Sequence, residues 1–431
     1  MLISGWGRNI WVDASISSPP NSLGPINLEK LSSAIPRGLG RSYGDSSLAQ
    51  NVICLENNNL LIHFDDETGI LECESGVSLF ELNNIFISKG WFLPVTPGTQ
   101  FITVGGAIAS DVHGKNHHID GTFSNFIIEF DLLLGNGEVI TVGPSSYPEL
   151  FKATCGGMGL TGVILKAKIQ LIPIQSNFIL ERKIATTNLS QTMHAFELYA
   201  NAKYVVAWVD CFAKGSHLGR SILMVGEHSE AGGLDENQFT QYEFPHWAPK
   251  GLLNGSVLRA FNSCYYLKQK LSKCEILVPL RKFFYPLDAI KGWNVMYGKE
   301  GFLQYQFVLP EEVGMEGLRD ILREISESGR GSFLAVLKKF GPKNSNYLSF
   351  PLQGYTLALD FKIDPGLYQF LERLDILVGA YGGRVYLTKD SRMSEKMFKD
   401  SYPEWPVFQS VREKYHAINK FSSLQSVRLG L

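Results

Sequence analysis

The residues best suited to chemistry in this chain sit in three glycine-rich segments. The first is Pro36-Arg37-Gly38-Leu39-Gly40-Arg41-Ser42-Tyr43-Gly44-Asp45, followed by Ser46. Glycine at three of its positions lets the backbone turn tightly and approach a ligand closely. Successive N–H groups in such a loop form a concave anion site, and Arg37, Arg41 and Ser42 add donors suited to a pyrophosphate. The second begins at Gly98 and continues from Thr103-Val104-Gly105-Gly106 through Ser110-Asp111-Val112-His113-Gly114-Lys115 to His117-His118. Its small residues leave room for a flat ring against the backbone, and polar groups follow in a burst. The third is Gly156-Gly157-Met158-Gly159-Leu160-Thr161-Gly162-Val163-Ile164. None of these is the glycine fingerprint that opens a Rossmann helix, and there is no Walker lysine. His113, His117 and His118 are joined by no thiolate, and the nearby carboxylates are Asp111 and Asp120. No metal is expected; a histidine beside a cofactor or substrate is.

The second half of the chain offers a different set. Gln304 and Gln306 are two apart on a strand-like run, so both amides face one side of a sheet. Lys338 lies on another such run. Lys389 follows Tyr386 and precedes Asp390, so the residues alone favour a surface charge there. A free lysine, with a pKa of about 10.4, is a poor base at neutral pH. It becomes one only when desolvation or a nearby cation lowers that value.

The elements that must position these groups follow from hydrophobic spacing. Residues 51–55, 60–64, 69–73 and 163–172 read as strands, and 126–134 with 138–142 as a hairpin over Asn136-Gly137. Residues 78–89 carry apolar side chains at Leu79, Leu82, Ile85 and Phe86, the spacing of a helix that Gly90 stops. Residues 148–153 make a helical turn. Beyond 175, longer strands are predicted at 204–212, 302–309, 332–338 and 355–363, with helices at 311–328 and 366–381. The mixture is α+β, with no regular βαβ repeat.

Bulk properties narrow the class. The 431 residues suffice for two domains. A net charge of −2 argues against a nucleic-acid partner, and 12% aromatic residues argue against disorder. Cys54, Cys73, Cys155, Cys211, Cys264 and Cys274 are scattered without metal or disulfide spacing, which fits a reducing compartment. The N-terminus lacks the pattern of a signal peptide, and no apolar run is long enough to span a bilayer. The stretch 247–292 interleaves Lys268, Lys270, Lys273, Arg281 and Lys282 with aromatic residues, a composition suited to a lipid interface.

The segments Arg37–Asp45, Val104–Ala109, Asp111–His118, Gly156–Gly162, Gly301–Phe307, Phe340-Gly341-Pro342 and Lys389–Arg392, in this order, resemble the vanillyl-alcohol oxidase/p-cresol methylhydroxylase class of FAD enzymes. Within it they are most similar to the decaprenylphosphoryl-β-D-ribose 2-oxidase family. The resemblance implies a two-domain fold of the PCMH type. Residues 1–175 would bind FAD, 176–383 would form a substrate domain on an antiparallel sheet flanked by helices, and 384–431 would return to the first domain. It implies that residues 37–46, Gly98, residues 103–106, residues 110–113, Ile164 and Tyr386 meet the cofactor. Lys115, Trp208, Tyr297, Gln304, Gln306, Lys338, Thr356, Ala358 and Lys389 would line the substrate, with Lys389, His113 and Tyr43 as catalytic groups. Tyr43 stands where covalent members place a histidine, so FAD is expected to be non-covalent. Thr356 and Ala358 replace an asparagine and a cysteine, and Ser110 replaces a cysteine.

The implied reaction oxidises the 2-hydroxyl of a polyprenylphosphoryl-β-D-ribose. An NAD-dependent ketoreductase would complete the epimerisation to the arabinose form for the cell envelope. The implied location is cytoplasmic, peripheral on the inner membrane, with the periplasmic face as the alternative. The competing expectation is a soluble sugar-alcohol or aldonolactone oxidase of the same class.

Overall fold

The structure is a computed structural model and describes residues 1–18, 33–235, 239–244, 255–271, 275–332 and 334–431. Two layers of sheet organise it. A five-stranded antiparallel sheet orders Val139–Val142, Ile127–Leu133, Val163–Gln170, Ile70–Glu74 and Leu61–Asp65. Beside it, Ser15–Ser17, Asn51–Cys54 and Ile35–Arg37 form a small parallel sheet. The first glycine loop leaves directly from the last of these strands.

An eight-stranded sheet follows, in the order Glu275–Pro279, Phe178–Thr186, Ser221–His228, Tyr204–Val209, Ala335–Phe340, Gly354–Lys362, Phe302–Pro310 and Arg384–Val385. Every pairing in it is antiparallel. One face carries the helices Leu189–Leu198, Gly314–Ser328 and Leu367–Ala380. Leu318, Ile321, Leu322 and Ile325 repeat at helical spacing and join one core with Val205, Ala207, Leu303, Phe307 and Leu357 from the strands. The alternate strand residues face the other way. This is the predicted α+β architecture with a helix-flanked antiparallel sheet.

Some boundaries differ from the sequence expectation, for local reasons. The strand predicted over 204–212 stops at Val209, because the Asp210 carboxylate accepts the Phe212 N–H and the Arg220 guanidinium, closing a turn. The strand predicted from 332 begins at Ala335, because Ser332 is held by Cys211 and its hydroxyl accepts the Leu334 N–H. The helix predicted over 78–89 is α-helical from Leu79 to Phe86, with Ser78 and Glu81 in a reciprocal capping box. It tightens to a 3₁₀ turn before Gly90, whose φ is 81°.

Residues beyond Val385 run back to the first layer. Arg412 is buried and donates to the carbonyls of Leu160 and Phe421. Arg428 joins Asp45 at 2.8 Å to Asp390 at 2.9 Å. Among the described residues, no helix is long and apolar enough to cross a membrane.

Candidate functional site

The face of the large sheet opposite those three helices and the glycine loops enclose a cavity of about 760 Å³, a size typical of cofactor and ligand sites. At one end, the N–H groups of Gly38 through Ser42 donate to no acceptor among the described residues. Five donors in succession, in a loop turned at Gly40 (φ 63°), suit an anionic group. Arg41 adds a guanidinium held 3.9 Å above the Trp6 ring. Arg37 also lines the cavity, and its guanidinium donates to Ser4 O, Ser47 O and Ser47 Oγ, which brace the loop.

The second segment forms the short helix Val104–Ala109, capped by the Thr103 hydroxyl accepting the Gly106 N–H. A Cβ on Gly38 would stand 2.3 Å from that hydroxyl, and one on Gly105 would stand 2.9 Å from Ser75 Cβ. The loop and the helix therefore pack backbone to side chain with nothing to spare. Open space lies in front of Gly98, and the buried Ser75 hydroxyl has no partner among the described residues. Free donors, bare backbone and an unpaired hydroxyl along one wall fit a flavin dinucleotide. Leu39, Ser46, Gly98, Thr103, Gly106, Ser110, Val112, Ile164 and Tyr386 line the same wall.

Across from it stand Gln304, Gln306, Lys338, Ala358 and Lys389, with His113, Lys115 and Tyr43 from the loop side and Trp208 further out. Their hydrogen bonds are closely coupled. The Thr356 hydroxyl donates to Phe307 O, so Gln306 Nε2 donates to Thr356 and directs its other hydrogen at His113 Nε2, 3.2 Å away. The Lys338 amine lies 3.1 Å from His113 Nδ1. Burial and the cations of Lys338 and Lys389 hold His113 neutral, far below its usual pKa. Burial brings Lys115 and Lys338 down to about 7 and Lys389 to about 8. The Lys389 ammonium sits 4.0 Å over the Tyr43 ring. Burial keeps the Tyr43 phenol protonated, which removes it as a resting base.

Six of the expected site residues do not line the cavity. Gly44 packs against the Asp390 carbonyl, Asp45 is paired with Arg428, and Val104 lies in the core. Asp111 accepts from Asn344, Asn346 and Ser349, tying their loop to the flavin layer. Tyr297 stacks on Phe302 at 4.2 Å, and Thr356 lies behind Gln306. The other two histidines diverge: His117 accepts the Gly341 N–H, and His118 contacts Ala202 O.

Asp360 was not expected. Its carboxylate accepts from Gln304 Nε2 at 2.6 Å and from the Tyr297 hydroxyl at 3.4 Å. Burial raises its pKa to about 7, and Lys389 acts against that rise. The signal was in the sequence, since Asp360 follows Thr356 and Ala358 at two-residue spacing on one strand face.

Residues 29–143 match the family model described as an FAD binding domain. With the fold and the cavity, this defines an FAD-dependent oxidoreductase acting on a CH–OH group. The whole chain aligns at 37% identity with 97% of decaprenylphosphoryl-β-D-ribose oxidase from Mycolicibacterium smegmatis. It is 31% identical, over 82% of its length, to all of an uncharacterized protein in the mprA 5′ region of Streptomyces coelicolor. It is 21% identical, over 88% of its length, to 85% of L-gulono-1,4-lactone dehydrogenase from Mycobacterium tuberculosis. The chain belongs to the decaprenylphosphoryl-β-D-ribose oxidase family.

Proposed function

We propose that this enzyme oxidises the 2-hydroxyl of a polyprenylphosphoryl-β-D-ribose to the 2-keto sugar, the first half of an epimerisation to the arabinose form used in cell-envelope glycan synthesis. The observation that carries this reading is the convergence of Gln304, Gln306, Lys338 and Lys389 on one cavity wall facing the glycine loops. That wall offers amides for sugar hydroxyls and cations for a phosphate.

When bound, non-covalently beside Tyr43, FAD supplies the acceptor for the hydride that leaves the carbinol carbon. Lys389 contacts the reacting hydroxyl and places a positive charge where negative charge develops. The hydroxyl proton leaves toward the His113–Lys338 pair. Gln304, steered by Asp360, and Gln306, steered by Thr356, fix the furanose.

The polyprenyl tail reaches a membrane surface. Val257, Phe261 and Leu267 are exposed on the helix Gly255–Lys270 beside Arg259, Lys268 and Lys270, a basic and apolar surface suited to anionic lipid. Of the rest of that expected surface, residues 247–254 and 272–274 lie outside the described residues, and Arg281, Phe283, Phe284 and Tyr285 are buried, so the stretch beyond 275 does not face lipid as expected. A nicotinamide-dependent ketoreductase is the partner that would complete the epimerisation, at the cytoplasmic face of the inner membrane.

The test is an assay of polyprenylphosphoryl ribose against free polyols and aldonolactones with a dye acceptor. Turnover confined to the lipid-linked sugar is expected, and turnover confined to polyols or lactones would overturn the reading. Lys389→Met should lower turnover per bound flavin by two orders of magnitude or more; unchanged turnover would remove Lys389 from the mechanism.

A further inference from the structure

We infer that the outer part of the cavity is a subsite for the first isoprene units of a prenyl phosphate. This rests on the lipid-linked substrate proposed above and adds the path its tail takes.

The cavity-facing side of the large sheet changes character across its width. Strand register places Gln306 beside Ala358, Ala358 beside Val336, and Val336 beside Trp208. Val206, on the same strand as Trp208, and its neighbour Met224 on the next strand continue the surface, and Ile276 and Val278 end it on the edge strand. All of these side chains line the one cavity that also holds the catalytic amines. The charged side chains on the outer strands are Glu181 and Lys183, which pair with each other at 3.3 Å. Tyr265 covers it, edge-on to Trp208 with ring centroids 4.7 Å apart. Phe261 and Ile290 line the cavity yet are 49% and 39% exposed, so the chamber opens beside them. Phe261 of that rim belongs to the helix Gly255–Lys270, whose Val257 and Leu267 are exposed.

A free sugar or lactone would leave this apolar wall against water. A branched C5 repeat covers it, and the burial of each repeat is favourable. The wall is continuous with the polar end, so one ligand spans both: sugar at Gln304 and Gln306, tail along Val206, Met224 and Ile276, and exit at Phe261.

The experiment uses the FAD-loaded protein and dimethylallyl, geranyl and farnesyl phosphate, which lack the sugar, with binding followed by calorimetry. The dissociation constant should fall roughly tenfold or more with each added isoprene. Met224→Gln and Ile276→Asn should flatten that dependence. Leu277→Gln, on the opposite face of the same edge strand, should keep it. Flavin absorbance and circular dichroism check that each variant is folded, and two variants on different strands guard against loss of either one. An affinity independent of chain length in the unmodified protein, or a dependence that survives both cavity substitutions, would overturn the subsite. Failure to oxidise any ribosyl derivative would instead remove the proposed reaction while leaving this binding result intact.

Discussion

Three lysines, Lys115, Lys338 and Lys389, lie buried in one cavity. Their amines are the costly residues of the site. A lysine whose pKa is about 7 in the folded protein and about 10.4 unfolded destabilises the fold most at and below pH 7. The penalty shrinks as pH rises between the two values and vanishes above the unfolded one. Replacing Lys338 with methionine should therefore raise the stability of the FAD-loaded protein at pH 7 by about 1–3 kcal/mol, while lowering turnover. The gain should fade by about pH 10. Denaturant melts at pH 7 and pH 10 would measure it, and equal gains at both would contradict the burial argument.

At this scale the sequence was partly legible. The alternation in Gln304-Tyr305-Gln306 gave the correct shared face. The isolated reading of Lys389 as a surface charge beside Asp390 did not hold, because Asp390 turns away to Arg428, 38 residues further along the chain. No local spacing encodes a partner that far along the chain.

Among the elements, the weld between the first loop and the Val104–Ala109 helix makes the most direct claim. Gly38 needs no unusual backbone angle; it is glycine because Thr103 occupies the place of its Cβ. Gly38→Ala should displace the cap, disturb the free N–H row and weaken FAD retention tenfold or more. Flavin released on gel filtration, read by fluorescence, would check this, and wild-type retention would show that the contact relaxes without cost. The long helices and strands were readable from periodicity, since Leu318, Ile321, Leu322 and Ile325 leave little choice. The six-residue helix inside the glycine segment was not. Its Val-Gly-Gly-Ala-Ile-Ala sequence has poor helix propensity, and the tertiary context sets it through Ser75 and Val77, whose carbonyls accept its first N–H groups.

For the molecule as a whole, the returning C-terminal segment acts as a clasp. Arg428 bridges Asp45, at the end of the glycine loop, and Asp390, next to Lys389, and both carboxylates are almost fully buried. Arg428→Ala would leave two buried acids without their cation, which costs about 3–5 kcal/mol. The thermal midpoint should drop by several degrees, and bound FAD should be lost earlier on heating than in the parent protein. A midpoint that does not move would mean the clasp contributes no stability.

The buried amines also make the site a proton ledger. A phosphate arriving among Lys115, Lys338 and Lys389 supplies the counter-charge they lack, raising their affinity for H⁺. Ligand capture near neutral pH must then draw H⁺ from the solvent, so its measured heat will track the ionisation enthalpy of whichever buffer is present. Occupancy will be tighter in mildly acidic solution than in alkaline solution. A wall built to hold a sugar phosphate thereby couples its own loading to ambient acidity.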